Sequence, residues 1–130
     1  MRAVLLLAAL LAATPVAAQR ASEWRTAPEA DILLRPFAYE PRIIRLRAGE
    51  PVKLRFVNNG RTALGFSAPD FFAAARIRPH DRRAVRGGVL RLAPGERVTV
   101  ALVPAAGRYR ARGRNLSHRI LGMNALILVE

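Results

Sequence analysis

The chain has 130 residues, no cysteine and a formal net charge of +13, because 22 basic residues outnumber nine acidic ones. A chain of this length forms one domain with one core. Without cysteine it has neither disulfides nor thiolate ligands, so packing alone must stabilise it. The charge favours anionic partners. Nucleic acid is not expected among them, because no recognition motif accompanies the charge and charge alone gives nonspecific phosphate binding.

Arginine supplies every basic residue except Lys53. This bias also fits a GC-rich coding genome, so composition and function both remain open as its cause. In either case the positive charge acts on whatever approaches the surface.

The first 18 residues have the pattern of a secretory signal peptide. Arg2 precedes an apolar run at 3–13, and Val16 and Ala18 place small residues before a cleavage site. The run is shorter than the ~20 residues that span a bilayer. We expect cleavage after Ala18 and a periplasmic or secreted product that does not span a membrane. The expected organisation is a signal peptide at 1–18, an N-terminal segment at 19–30 and one domain at 31–130.

Short extended segments separated by Gly and Pro turns follow one another along the domain. The segment 52–57 alternates apolar and other residues, which is the period of a half-buried strand. A short helix is predicted after Ser67, with Ser67 as its N-cap and Pro69 in its first turn. The polar stretch 78–88 is predicted to be an exposed loop. The other predicted strands are 32–37, 43–47, 89–92, 97–103, 108–112 and 125–129. Together they indicate an all-β sandwich or Greek-key barrel.

One predicted strand carries arginine at every second position. The residues are Arg108, Arg110, Arg112 and Arg114. Alternation places all four on one face, where like charges repel unless solvent or an anionic partner surrounds them. A second basic cluster follows the predicted helix and comprises Arg76, Arg78, Arg82, Arg83 and Arg86. Plain solvation and partner binding are both open for each cluster.

Three pieces of the chain together resemble the cupredoxin family, which includes the blue copper proteins. They are 37–60, with its "AGE" turn, 64–72, and the terminal region 109–129. The resemblance implies an exported, cupredoxin-like Greek-key β-sandwich. It also implies that four positions correspond to the copper ligands of that family. These are Leu64, Gly113, His118 and Met123.

Two of those four positions no longer carry a ligand. A blue-copper centre uses two histidine nitrogens and a cysteine thiolate, with methionine as a weak axial ligand. Here Leu64 replaces the first histidine and Gly113 replaces the cysteine. His118 and Met123 remain, and each also has a structural interpretation, His118 as a loop residue and Met123 as a core residue. The other histidine, His80, falls in the predicted exposed loop.

These features favour a binding protein over an enzyme, because no catalytic motif is visible. We predict an exported cupredoxin-like interaction module that has lost its electron-transfer site. Its basic surface would meet an acidic protein, a lipid headgroup or an envelope polymer. The alternative is a periplasmic protein that binds copper weakly through His118 and Met123. No cofactor is required by the first hypothesis, whereas copper is the ligand in the second.

Overall fold

The computed structural model describes residues 15–113 and 123–130, which form a two-layered β-sandwich. The strands are β1 (Glu29–Arg35), β2 (Ala38–Glu40), β3 (Ile43–Leu46), β4 (Val52–Asn58), β5 (Leu64–Ser67), β6 (Arg76–Ile77), β7 (Val89–Leu92), β8 (Arg97–Val103), β9 (Gly107–Arg112) and β10 (Asn124–Val129). Sheet 1 has the order β2-β1-β4-β8-β6, and sheet 2 has the order β3-β10-β9-β5-β7. The predicted all-β sandwich is confirmed.

Period-two alternation determines which side of each strand enters the core. Along β4, Val52, Leu54 and Phe56 are buried, whereas the residues between them are only partly covered. Along β10, Ala125, Ile127 and Val129 are buried in the same way. Each sheet therefore presents one apolar side to the other and one side outward.

Aromatic rings from both sheets meet at the centre of the core. The ring of Phe66 lies 5.2 Å from that of Tyr39, 4.9 Å from Phe56 and 6.2 Å from Phe72, measured between centroids. The hydroxyl of Tyr39 donates a hydrogen bond to the carbonyl of Gly65. Since Tyr39 belongs to sheet 1 and Gly65 to sheet 2, this bond and these ring contacts join the two layers.

The chain passes between the sheets several times. It leaves sheet 1 after β2 and enters sheet 2 at β3, with Pro41 in the connection. Parallel pairs then join β1 to β4 and β3 to β10, and the remaining paired strands are antiparallel. The last strand thus lies between β3 and β9, which brings residues far apart in sequence onto one surface.

The short helix after Ser67 is present, but its predicted cap is wrong. Helix α2 spans Pro69–Ala74, and its N-cap residue is Ala68, which makes no side-chain capping bond. Ser67 is instead the last residue of β5 and pairs with Arg112 of β9. The sheet pairing of its backbone determines the position of Ser67, and the helix begins with Pro69 at a favourable position.

The predicted exposed loop at 78–88 is also only partly right. Pro79–Gly88 forms a 3-10 segment that contains the buried carboxylate of Asp81. Asp81 accepts hydrogen bonds from the Arg78 guanidinium at 2.8 and 3.1 Å and from the Ala101 amide at 2.9 Å. These donors compensate the burial of the charge and attach the segment to β8.

The N-terminal segment contains a helix that the sequence did not predict. Helix α1 spans Val16–Thr26, and its Trp24 is buried with the Arg76 guanidinium 5.1 Å from the ring centroid. Glu23 also pairs with Arg76 at 2.8 Å. Strand β1 then begins at Glu29, two residues before the predicted start of the domain. Neither helix among the residues described here is long and apolar enough to cross a membrane.

Candidate functional site

The positions that correspond to copper ligands lie at one end of sheet 2. Gly113 follows β9 and Met123 precedes β10, and the Gly113 amide donates a hydrogen bond of 2.8 Å to the Met123 carbonyl. Ser67 pairs with Arg112, and β5 runs antiparallel to β9. Leu64, at the start of β5, therefore lies beyond the last residue of β9, at the same end of sheet 2 as Gly113. His118 lies outside the described residues. Three of the four positions are therefore placed, and they share one end of the fold.

The side chains at those three positions do not fit a blue-copper centre. Leu64 is 2% exposed and belongs to the hydrophobic core, and so does the fully buried Met123. Gly113 supplies no side chain, and the sequence has no cysteine to supply a thiolate from elsewhere. Within 15–113 and 123–130, no three His, Cys, Asp or Glu side chains are grouped to hold a metal ion. At the three described positions the chain therefore has two apolar core side chains and a glycine, without the thiolate that a blue-copper centre requires.

A buried amide fixes the turn that leads to Leu64. Asn58 is 1% exposed, and its Nδ2 donates to the carbonyls of Thr62 at 2.8 Å and Leu92 at 3.1 Å. Its Oδ1 accepts from the Gly60 amide at 2.8 Å. The hydrogen bond to Leu92 joins residues 34 positions apart and had no local signal in the sequence. Asn58 therefore has a structural role, because its polar atoms are used within the fold.

Comparison with solved structures identifies the architecture. The chain has the cupredoxin fold. It matches a reduced auracyanin from Roseiflexus castenholzii with a TM-score of 0.57 and 18% identity over 81% of this chain and 98% of that one. Auracyanin A, a blue copper protein from Chloroflexus aurantiacus, matches with a TM-score of 0.53 and 18% identity over 80% and 100%. A multicopper oxidase from Pseudomonas thermotolerans matches with a TM-score of 0.60 and 17% identity over 78% of this chain and 29% of that one.

These likenesses are structural rather than sequence-based. No protein-family model and no curated protein sequence matches the chain. The cupredoxin fold confirms the resemblance carried by 37–60, 64–72 and 109–129. It also means that function has to be argued from the surface and side chains of this chain, because one fold carries many activities.

The predicted arginine stripe is present on β9. Arg108, Arg110 and Arg112 are all exposed, whereas Tyr109 and Ala111 between them contribute to the core. The fourth residue, Arg114, lies outside the described residues. The alternation that the sequence indicated therefore places three guanidinium groups on the outer side of sheet 2.

Neighbouring strands extend this basic surface in ways that the sequence did not reveal. Register places Leu128 of β10 between Arg108 and the exposed Arg45 of β3, and Arg91 of β7 faces outward on the other side of β5. Leu126 likewise lies between Arg110 and Ile43. We call this surface the cationic face. Its members are Ile43, Arg45, Arg91, Arg108, Arg110, Arg112, Leu126 and Leu128.

The cationic face contains no carboxylate, and none of its five arginines forms an ion pair with another residue in the described part of the chain. Asp70 borders a groove of about 480 Å³ together with Arg108, Arg110 and Arg112. Glu50 and Glu130 border another groove of about 480 Å³ together with Arg45 and Leu128. A third groove of about 320 Å³ runs between Arg42, Arg108, Arg110 and Leu126. The arrangement provides shallow sites where guanidinium groups can bind oxyanions.

The outer side of sheet 1 has a different electrostatic character. Asp31 of β1 accepts two hydrogen bonds from the Arg55 guanidinium of β4, both at 2.8 Å. These bonds hold the pKa of Asp31 below its ordinary value and raise the pKa of Arg55. Glu29 lies 3.7 Å from Lys53, and Glu40 lies 3.2 Å from Arg35. Opposite charges therefore face each other across neighbouring strands.

The second basic cluster is partly neutralised. Arg76 pairs with Glu23 and Arg78 pairs with Asp81. Both arginines border a cleft of about 670 Å³ beneath α1, which Trp24 and His80 also line. His80 is thus in a cleft on the sheet 1 side of the fold, whereas Gly113 and Met123 flank the terminal loop in sheet 2. Three described arginines of each cluster form no ion pair: Arg108, Arg110 and Arg112 on β9, and Arg82, Arg83 and Arg86 in the second cluster.

Proposed function

We propose that the protein is an exported cupredoxin-like interaction module that binds an anionic partner through the cationic face. One observation carries the proposal: among the described residues the outward arginines of sheet 2 form no ion pair, whereas the outward carboxylates of sheet 1 are paired with basic residues. Arginines that are close together and unpaired attract anions strongly, because binding relieves their mutual repulsion. In this proposal the molecule is not an enzyme, and its working compartment is the periplasm or the extracellular space.

The loss of the copper centre supports this assignment. Leu64 and Met123 contribute apolar side chains to the core at positions where the family binds metal. Electron transfer by blue copper requires the copper–thiolate bond, which this chain cannot form. The fold would then be retained as a rigid scaffold that presents a surface.

A charge-reversal experiment tests the proposal directly. The mature protein and the variant Arg108→Glu/Arg110→Glu/Arg112→Glu would be titrated with soluble polyglutamate, and binding would be followed by calorimetry. We expect the variant to lose more than about tenfold in affinity, since like charges then face the polymer. The matched control is Arg82→Glu/Arg83→Glu/Arg86→Glu, which changes the net charge equally and leaves the cationic face intact. Equal losses in both variants would contradict a localised binding surface.

Weak copper binding by His118 and Met123 is the competing function. The observation in its favour is that the Gly113–Met123 hydrogen bond holds Met123 beside the end of β9, and both residues are close in sequence to His118. Titration of the mature protein with Cu(I) distinguishes the two functions, with His118→Ala and Met123→Ala as variants. If the protein took up one equivalent of Cu(I) and each substitution abolished that uptake, copper binding would be established. The hypothesis that the metal site has been lost would then be wrong. We expect uptake below one equivalent and no effect of either substitution.

The assignment of the ligand positions has its own test. The double variant Leu64→His/Gly113→Cys restores the two missing ligand types at one end of sheet 2, beside Met123. If Leu64 and Gly113 correspond to the lost ligands, Cu(II) should give this variant a blue colour that the parent protein and each single variant lack. A folded, colourless double variant would show that the correspondence is wrong.

A further inference from the structure

We infer that the partner of the cationic face is the surface of an anionic phospholipid bilayer. This inference rests on the proposed function and specifies the chemistry of its ligand. The observation behind it is that the face is apolar as well as basic. Strand β10 carries Leu126 and Leu128 outward and Ile127 inward, so both of its sides are apolar.

Outward apolar residues are unusual on an open sheet, whose solvent side is commonly polar. Ile43 is 46% exposed and pairs in register with Leu126, and Leu126 and Leu128 are each partly exposed. These three side chains form a strip along β3 and β10. An acidic polymer or a purely polar protein surface would leave this strip without a matching partner.

The arginines lie on both sides of that strip. Arg45 lies on the β3 side, and Arg108 and Arg110 lie on the β9 side. Apolar side chains flanked by basic ones are typical of proteins that rest at a membrane interface: the apolar groups enter the acyl boundary and the guanidinium groups remain among the phosphates. Arginine suits this position, because its planar group can bind a phosphate with two hydrogen bonds.

Shape and topology are consistent with this partner. The grooves beside Arg108 and Arg110 are shallow and open, and the strip lies on a sheet face rather than in a deep pocket. A bilayer presents many equivalent headgroups across such a face, so it can engage separated arginines together. No helix within the described ranges is long and apolar enough to cross a membrane, and the inference is of binding at the bilayer surface.

The expected affinity follows from the number of side chains involved. Each basic residue near an anionic membrane strengthens binding by roughly fivefold. Transfer of a whole leucine or isoleucine side chain into an apolar medium changes a partition coefficient by roughly ten- to a hundredfold. Because Ile43 and Leu126 are already partly covered, we expect the two side chains together to strengthen vesicle binding by about tenfold. Salt should weaken the charge contribution and leave the apolar one unchanged.

The experiment compares two neutral substitutions that occupy equivalent positions in the two sheets. Ile43→Gln/Leu126→Gln alters a parallel cross-strand pair on the cationic face. Leu33→Gln/Val57→Gln alters a parallel cross-strand pair on the outer side of sheet 1 and is the control. Neither changes the net charge. Each mature protein would be sedimented with phosphatidylglycerol vesicles and with phosphatidylcholine vesicles, and titrated in parallel with polyglutamate. Emission of the single tryptophan, Trp24, and circular dichroism would verify folding.

We expect the parent and the control to bind phosphatidylglycerol vesicles and not phosphatidylcholine vesicles. Ile43→Gln/Leu126→Gln should bind the anionic vesicles about tenfold more weakly and polyglutamate equally well. Unchanged vesicle binding by that variant would overturn the membrane assignment and favour an acidic macromolecule, leaving the proposed function in place. If that variant lost as much affinity for polyglutamate as for the vesicles, the membrane assignment would be overturned as well. If charge reversal at Arg108, Arg110 and Arg112 affected neither ligand, the proposed function itself would fail.

Discussion

The two sheets of this sandwich share one core and present contrasting outer faces. On sheet 1, Asp31 pairs with Arg55 and Glu29 with Lys53, and α1 contributes the buried Trp24 next to β6. On sheet 2, arginines surround a strip of aliphatic side chains, and in the described part of the chain none of these arginines forms an ion pair. Both faces combine apolar and basic residues, so the difference lies in the counter-ions. Of the two sheet faces, the outer side of sheet 2 thus carries the larger uncompensated share of the net charge of +13.

Removal of the counter-ions from sheet 1 should make its face resemble the cationic face. Glu29→Gln/Asp31→Asn would free Lys53 and Arg55, which lie beside the Leu33–Val57 pair. Two additional uncompensated charges should raise affinity for phosphatidylglycerol vesicles by up to about 25-fold, at roughly fivefold per charge. Vesicle sedimentation measures this gain. An affinity that stays at the parent value would show that uncompensated charge is not what distinguishes the two faces.

The opposite change introduces a counter-ion on sheet 2. Leu128→Glu places a carboxylate between Arg45 and Arg108, in register with both. It removes about one effective positive charge and one apolar group, so vesicle affinity should fall by at least about fivefold. Leu128→Gln is the control for the apolar loss alone, and the Glu variant should bind more weakly than the Gln variant. Equal affinities for the two would argue against an electrostatic contribution from this part of the face.

The fold was largely predictable from sequence, whereas the composition of the face was not. Alternation within a strand is local, so the outward direction of Arg108, Arg110 and Arg112 could be read directly from the sequence. The neighbours of that strand depend on the register of β10 with β9 and with β3, and β3 is far from both of the others in sequence. For this reason Ile43, Leu126 and Arg45 could not be assigned to the face.

The remaining misjudged features have similar physical causes. Asp81 was expected in an exposed loop because it sits in a charged stretch, but a distant amide on β8 helps to compensate its burial. Ser67 was expected to cap α2, but its backbone belongs to β5. The hydrogen bond between Gly113 and Met123 was not predicted, because it depends on the pairing of β9 with β10.

Repulsion within the cationic face should lower stability at low ionic strength. Arg108→Gln/Arg110→Gln/Arg112→Gln removes like charges that lie on one side of β9. We expect this variant to be more stable than the parent by about 1 kcal/mol at low salt, and the difference to vanish at high salt as screening increases. Denaturant unfolding followed by Trp24 fluorescence measures both values. A variant less stable than the parent at low salt would mean that the arginines stabilise the face through packing.

The smallest expected effect concerns the ion pair on sheet 1. Because the pKa of Asp31 is held below its ordinary value of 3.8 by the Arg55 hydrogen bonds, the folded state favours the ionised carboxylate. This stabilisation is present above the ordinary pKa and is lost as pH falls through the lowered one. Asp31→Asn should therefore lower the free energy of unfolding slightly at pH 7, and the difference from the parent protein should shrink in strong acid. Unfolding curves of the parent, Asp31→Asn, Arg55→Gln and the double variant, recorded at pH 7 and in strong acid, give the coupling free energy between the two side chains. A coupling free energy that is the same at both pH values would contradict this explanation.

The most direct test of the central claim is to map which face contacts an anionic ligand. Backbone amide resonances of the labelled mature protein would be recorded by NMR during titration with small bilayer discs that contain phosphatidylglycerol. The account predicts that signals from β3, β9 and β10 broaden or shift first, while those from β1 and β4 stay in place. Perturbation centred on Glu29–Arg35 and Val52–Asn58, or spread evenly over both sheets, would contradict it.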